Sequence, residues 1–374
     1  MGSNQHELNG VQALREFFGT EDRTQGTISW HYFADDQDPI HERTVFTFYD
    51  ARENHPTRTE WRLYYPGSFL AHAEVGDRLF LARSKSGHLF GLVFQCRSAW
   101  LRSAEAFFGS DISTSRLDVV PREKLDAQEL ELLRRQILDE LDLDVVVPVA
   151  QTDEQIMVEK YGRTFPTTKE MAVFARSQVE VDPGHPDETL VRWLNREEEL
   201  FRALENVVIR ERLDKGFSTV DEFIEYSLSV QNRRKSRMGF ALQNHLAELF
   251  TVHSLRFTPQ ARTEGNNRPD FLFPGEDEYH NETFNAALLV MLGVKSTSKD
   301  RWRQVLTEAD RIPEKHLCTL EAGISVKQTD EMKRQRLTLV IPNSLHETYT
   351  NVQREALLNV EAFIEFARLK QSHA

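Results

Sequence analysis

Apolar and polar positions change rhythm about a third of the way along the chain. In the first part, short runs rich in aromatic and branched residues recur at Thr44–Tyr49, Trp61–Tyr65, Arg78–Ala82 and Leu89–Gln95. Turn-forming groups separate them: Glu53-Asn54-His55-Pro56, Pro66-Gly67, Val75-Gly76-Asp77 and Lys85-Ser86-Gly87. This pattern predicts a mainly β domain over residues 1–150. Leu125, Leu130, Leu133, Ile137 and Leu138 then fall at helical spacing, which predicts an amphipathic helix over Arg122–Asp142 closing that domain. Residues 151–187 are irregular and Pro-rich, as in Asp182-Pro183-Gly184-His185-Pro186, and read as a linker holding one short helix, Lys169–Ser177.

From residue 188 the chain alternates helix and strand. Helical stripes run over Leu190–Leu213, Thr219–Leu228 and Ser236–Ser254. A short strand at Asp270–Phe273 and a buried one at Leu288–Lys295 follow, then a helix at Lys299–Arg311. Strands His316–Leu320 and Leu337–Ile341 and a final helix Asn351–Leu369 complete the pattern. Residues 188–374 are therefore expected to form an α/β domain with a central mixed sheet flanked by helices.

A length of 374 residues suits two domains. The apolar run Ala286–Val294 is too short to cross a bilayer, and the N-terminus lacks a basic start followed by an apolar stretch. Cys96 and Cys318 stand alone on apolar runs without zinc-like spacing, so a reducing, cytoplasmic setting is expected. The net charge of −13 describes solubility, whereas binding follows where cations cluster. They gather in Asn232–Arg237, Lys295–Arg303 and Lys333–Arg336. A basic cleft on an acidic body would bind phosphates; for Lys333–Arg336 a solvated helix face is the simpler reading.

The chemistry concentrates in RPDFLF and MLGVKSTSKDRWRQVLTEADRI. Asp270 opens a short apolar strand, Lys295 ends the next, and Glu308 lies on the predicted helix beyond it. Arg301, Gln304, Glu308 and Arg311 would share one helix face. Cutting a phosphodiester needs hard oxygen ligands for Mg²⁺, here Asp270 and Glu308. It also needs a cation to orient water and oppose charge at phosphorus, here Lys295. Each residue alone has an ordinary reading, a surface acid after a turn or a snorkelling lysine; the set of three points to hydrolysis.

From about Tyr161 onward the chain resembles the catalytic region of EcoRII-type restriction endonucleases. The resemblance rests on KGFSTVDEFIE, NRRKSRMG, TEGNNRPDFLFPG, VKSTSKDRWRQVLTEAD, HLCTLEAGIS and LVIPNSLH. It implies the PD-(D/E)xK restriction-endonuclease-like fold, Mg²⁺ dependence, and double-strand cleavage of DNA by a homodimer. The general motif expects an acid two residues before the lysine, where Gly293 stands; the family moves it to the position of Glu308. Glu248 matches a further family acid, or is a solvent-facing helix glutamate. Tyr279 matches a tyrosine of the family's site, or packs on the core. The family reads CC/GG pairs with a basic–acidic–basic cluster, here Lys299, Asp300 and Arg301, a chemistry that suits guanine acceptors and the cytosine donor. Arg233, Arg234, Lys235 and Arg237 are read as phosphate contacts.

Within the first domain, FYDARENHPTRTEWRL resembles a segment of the EcoRII effector-binding domain, a B3-like pseudobarrel that grips a second copy of the site. Arg58, Glu60 and Arg62 match its pattern; spaced by two, they would project from one strand face toward DNA, or form an exposed cross-strand ion ladder. The expected activity is a type II site-specific deoxyribonuclease regulated by the N-terminal domain. A modification-dependent nuclease and a catalytically silent DNA-binding protein are the alternatives.

Overall fold

The computed structural model describes residues 7–20, 23–66, 69–83, 88–108, 151–296 and 301–373. The chain divides into two compact units, 1–143 and 144–374. The helix expected over Arg122–Asp142 lies outside the described residues.

The first unit holds a six-stranded sheet built from β1 (Glu7–Asn9), β2 (Thr24–Phe33), β3 (Ile40–Asp50), β4 (Trp61–Tyr64), β5 (Arg78–Arg83) and β6 (Leu89–Phe94). Their order is β1-β4-β3-β2-β6-β5. All pairings are antiparallel except β2 with β6. Alternation along β2 and β3 sends Ile28, Trp30, Phe46 and Phe48 into one core, joined by Leu63, Leu89 and Phe18 of helix α1 (Gln12–Phe18). Strand β6 is buried along its whole length, and Gly91 leaves the space that the Trp30 indole fills. Helix α2 (Ala99–Phe108) follows. Strands β1 and β2 and helix α1 escape the sequence reading: β1 carries one apolar residue, Leu8, and α1, though it holds Leu14, Phe17 and Phe18, is only seven residues long. In β2 the polar start Thr24–Thr27 masks the alternation that begins at Ile28.

In the second unit β7 (Thr258–Pro259), β8 (Phe271–Phe273), β9 (Val290–Lys295), β10 (Lys315–Thr319) and β11 (Leu337–Val340) form one mixed sheet in the order β11-β10-β9-β8-β7. Strands β9, β10 and β11 are parallel, and β7, β8 and β9 antiparallel. Helices α3 (Gln151–Tyr161) and α4 (Thr168–Ser177) occupy the stretch expected to be a linker. Met157, Met171 and Ala175 from these helices pack on Leu200, Phe201 and Leu204 of α5 (Pro186–Lys215).

Two predicted helices, Thr219–Leu228 and Ser236–Ser254, are one helix, α6 (Val220–Val252). The polar run between them resembles a break, yet its arginines meet the buried glutamates of α5. Arg234 pairs with Glu205 at 2.8 Å and Arg237 with Glu197 at 3.3 Å. Short helices α7 (Glu276–His280), α8 (Trp302–Val305) and α9 (Val326–Arg334) follow along the chain, and the final helix is likewise divided, into α10 (Asn351–Arg354) and α11 (Val360–Ser372). Between them Leu358 leaves the helix to bridge Val340, and Asn359 caps the second piece through the Ala362 N–H at 2.7 Å.

The register sorts the sheet's two faces. Phe271 pairs with Leu292 and Phe273 with Val290, and Phe271 and Phe273 meet Phe250 of α6 at 5.1 and 5.2 Å between ring centres. Leu272 pairs with Met291, so Met291, Gly293 and Lys295 take the opposite face. Against Gly293 on that face packs Val305 of the short helix α8 (Trp302–Val305). Continuing the alternation one residue before β8 places Asp270 on the same face as Lys295.

Candidate active site

The Lys295 ammonium lies 3.5 Å from Oδ2 of Asp270. Asp270 is buried, with 6% of its surface exposed, and accepts the Val294 N–H at 2.6 Å through the same oxygen. Its other oxygen, Oδ1, accepts amide N–H groups from Gln260, at 2.8 Å, and Gln243. Glu308 completes the group. Burial pushes its carboxyl up to about 7; the Lys295 charge opposes that rise and the Asp270 charge adds to it. Among the described residues, Oε2 of Glu308 is buried with no hydrogen-bond partner. Asp270 and Lys295 thus meet on one face of the sheet, and the charges of both act on the Glu308 carboxyl.

Glu308 does not lie on a helix, contrary to the predicted span Lys299–Arg311. After α8 the chain tightens into turns, with Thr307 N–H bonded to Gln304 O and Glu308 N–H to Val305 O, and Ala309 takes a φ of 51°. Helix α8 has already stopped at Val305, the left-handed Ala309 keeps the chain from resuming it, and tertiary bonds hold the turn that results. Buried Lys315 donates to the carbonyls of Glu308, Ala309 (3.1 Å) and Ile312 (3.0 Å). Asn267 donates to Thr307 O at 2.7 Å, and Glu264 accepts the Asp310 N–H at 3.1 Å. Lys299 and Asp300 lie outside the described residues, and Arg301 is exposed just before α8.

Tyr279 is buried, and its hydroxyl donates to Glu264 at 2.7 Å while accepting the Arg311 N–H at 3.3 Å. Burial, reinforced by Glu264, pushes its phenol well above the usual range. The tyrosine therefore braces the turn that carries Glu308. Glu248 pairs with Arg176 at 3.2 Å. On α6 the side chain that reaches Asp270 is Gln243.

The NRRKSR cations are placed differently from one another. Arg233 lies over the Phe165 ring at 4.3 Å, whereas Arg234 and Arg237 engage the α5 glutamates, and Arg237 is only 5% exposed. The side chain of Lys235 is outside the described residues. In the first unit, Arg58, Glu60 and Arg62 do not form a strand row. Strand β4 begins at Trp61, and Asp50 Oδ1 draws in the N–H groups of Arg52 and Glu60, turning the chain before the strand. Glu60 bridges Arg52 and Arg62 at 2.5 Å each, and Arg62 continues to Glu7. Those two arginines hold the Glu60 carboxyl below its ordinary value. This is the ion ladder, with exposed Arg58 outside it.

Sequence reasoning missed Gln243, Gln260, Glu264, Asn267 and Lys315. A lysine opening the apolar run Lys315–Leu320 was a usable signal, since a buried ammonium requires acceptors. The amides carry no comparable mark.

Comparison with known proteins bears on the same region. Residues 201–364 match the EcoRII C-terminal family. The type II restriction enzyme EcoRII of Escherichia coli is 44% identical over 210 residues, covering 56% of this chain and 52% of that protein. The chain thus spans about half the length of the curated relative it matches. Among solved structures, metal-depleted Ecl18kI in complex with uncleaved, modified DNA aligns with a TM-score of 0.49 at 17% identity, covering 59% of this chain and 83% of that one. A complex of the restriction endonuclease PspGI with substrate DNA aligns with a TM-score of 0.46 at 14% identity, covering 62% and 100%. Asp270, Lys295 and Glu308 all fall within the stretch matched to the EcoRII C terminus.

Proposed function

We propose that the chain is a type II restriction endonuclease that cuts both strands of DNA at a specific site by Mg²⁺-dependent phosphodiester hydrolysis. The observation that carries this reading is the convergence of Asp270, Lys295 and Glu308 within the region matched to EcoRII. No three His, Cys, Asp or Glu side chains cluster as metal ligands among the described residues. A buried and a half-buried carboxylate still fit a divalent cation, because Glu308 Oε2 lacks a partner and the Asp270 charge penalises its ionisation. Asp270 and Glu308 would hold the ion, which when bound supplies Lewis acidity at the phosphate and a more acidic water.

This chain's own residues do the rest. Lys295 opposes the charge that builds on the phosphoryl oxygens as water adds to phosphorus and the bond to the leaving sugar oxygen breaks. Burial around Asp270 strengthens that attraction. Tyr279, Glu264, Asn267 and Lys315 fix the turn bearing Glu308, so the acid needs little reorganisation.

We further propose a homodimer acting in the cytoplasm on a CC/GG-containing site read by Lys299, Asp300 and Arg301. The first unit is read as a B3-like domain that binds a second DNA copy. That regulatory reading rests on the short FYDARENHPTRTEWRL resemblance; in the ladder geometry, Arg58 is the member left exposed for DNA.

The test is incubation of the full chain with plasmids carrying one or two CC/GG sites, with Mg²⁺ or EDTA, followed by sequencing of the ends. Defined double-strand ends only with Mg²⁺, formed faster on the two-site plasmid, are expected. Intact plasmid at every Mg²⁺ concentration would exclude the nuclease reading, and equal rates on both plasmids would exclude the effector role.

A further inference from the structure

Asp270 is held from two sides by neutral amides, and the two come from separate elements. Gln243 reaches it from α6 and Gln260 from the residue after β7, both through Nε2 to the same Oδ1. A carboxylate oxygen only accepts, so each amide must present its N–H₂ there. The reach of Gln243 is set by packing: it stands seven residues, two helical turns, before Phe250, whose ring is fixed among Phe271, Phe273 and Phe363.

Gln260 is the more telling of the two. It is exposed and has a φ of 52°, a left-handed conformation that favours glycine or asparagine. Its backbone N–H already bonds Asp270 O at 3.1 Å, so the β connection does not require its side chain. What the side chain adds is the 2.8 Å bond to the buried carboxylate.

We propose that Gln243 and Gln260 are positioning residues that clamp Oδ1 of Asp270 and set the plane of its carboxylate toward a divalent cation. The inference rests on the nuclease reading above. With Oδ1 fixed by the two amides and Oδ2 by the Val294 N–H, the carboxylate cannot rotate about its Cβ–Cγ bond without breaking at least one of these contacts. Because the clamp is neutral, it adds no charge to a group of two carboxylates and one ammonium. Partners of this kind around metal ligands tune affinity by about ten- to a hundredfold.

The experiment titrates the full chain with Mn²⁺ calorimetrically without DNA, and measures plasmid cleavage against Mn²⁺ concentration. Gln243→Leu and Gln260→Gly are compared with the unaltered chain, and Tm in EDTA reports folding. Each variant should weaken Mn²⁺ binding by about tenfold or more and raise the half-saturating Mn²⁺ concentration alike. The maximal rate at saturating Mn²⁺ should stay within a few-fold of the original. If Gln243→Leu lowers Tm markedly, Gln260→Gly carries the test, because its site is exposed and its backbone suits glycine. Variants that bind Mn²⁺ as tightly as the original overturn the clamp alone. Absence of both Mn²⁺ binding and cleavage in the unaltered chain overturns the nuclease reading, and the clamp with it.

Discussion

Across the β8–β9 pair, Lys295 Nζ approaches Oδ2 of Asp270 to 3.5 Å while the backbone N–H of its neighbour, Val294, binds the same oxygen at 2.6 Å. The ammonium therefore stays beside the carboxylate without capturing it, and Lys295 remains available to a third charged group.

Removing that ammonium should separate cutting from binding. For Lys295→Ala, plasmid cleavage is expected to fall by about a hundred- to a thousandfold, while gel-shift affinity for the same DNA changes little. Loss of affinity in step with cleavage would place Lys295 in binding instead.

The Glu308 carboxyl, pushed up to about 7 mainly by burial, makes stability depend on pH. Its folded value exceeds the ordinary 4.5, so the fold favours the protonated acid. The cost of ionising it grows as pH rises from about 4.5 to about 7 and is constant above. In EDTA, Glu308→Gln should match the original Tm near pH 4.5 and exceed it at pH 8. Mn²⁺ affinity of the unaltered chain should rise with pH up to about 7 and then level. A Tm difference independent of pH would contradict the assigned burial.

Gly293 stands where the general nuclease motif carries an acid, and the structure gives a packing reason for its absence. A Cβ there would meet Val305 Cγ2 at 2.8 Å. Gly293→Ala should therefore cost about 1–3 kcal/mol in urea unfolding, and Gly293→Asp should do the same without gaining Mn²⁺ affinity. Unchanged stability in both would mean that α8 shifts freely.

Arg237 distinguishes a phosphate contact from a structural ion pair. It is buried against Glu197 and Glu198, with the buried His245 3.0 Å from the same Glu197. Arg237→Met leaves Glu197 without its arginine and Glu198 with Arg202 alone, and should destabilise the fold by about 3–5 kcal/mol. The salt dependence of DNA binding, measured where the variant is folded, should be unaltered. A shallower salt slope by about one ion would instead identify a phosphate contact.

Much of the second unit's sheet was legible because buried strands announce themselves. Val290–Val294 is continuously apolar and ends in a charge, so Lys295 stood out, and Pro269-Asp270 before Phe271 marked the neighbouring strand end. Glu308 was grouped with Asp270 and Lys295 but placed on the wrong element, because periodicity through Trp302, Val305, Leu306 and Ala309 continues into a segment that Lys315 holds as turns. Propensity and pattern cannot register a bond from a strand not yet paired. On α6, Glu248 drew attention by its charge while Gln243 did the reaching, since a neutral amide has no signature until its partner is known. In the first unit the turn groups separated four strands correctly, but the i, i+2 spacing of Arg58, Glu60 and Arg62 implied a regular strand where Asp50 bends the chain.

Lys315 belongs to β10, which pairs with β9 in parallel, yet its ammonium clasps the backbone on either side of Ala309. Assembly of the acidic turn is thereby tied to the docking of a strand that comes later in the chain. During synthesis, a polypeptide that has emerged only as far as Glu308 would carry the acid without its clasp. The group of Asp270, Lys295 and Glu308 would come into register only as the parallel part of the sheet zips shut.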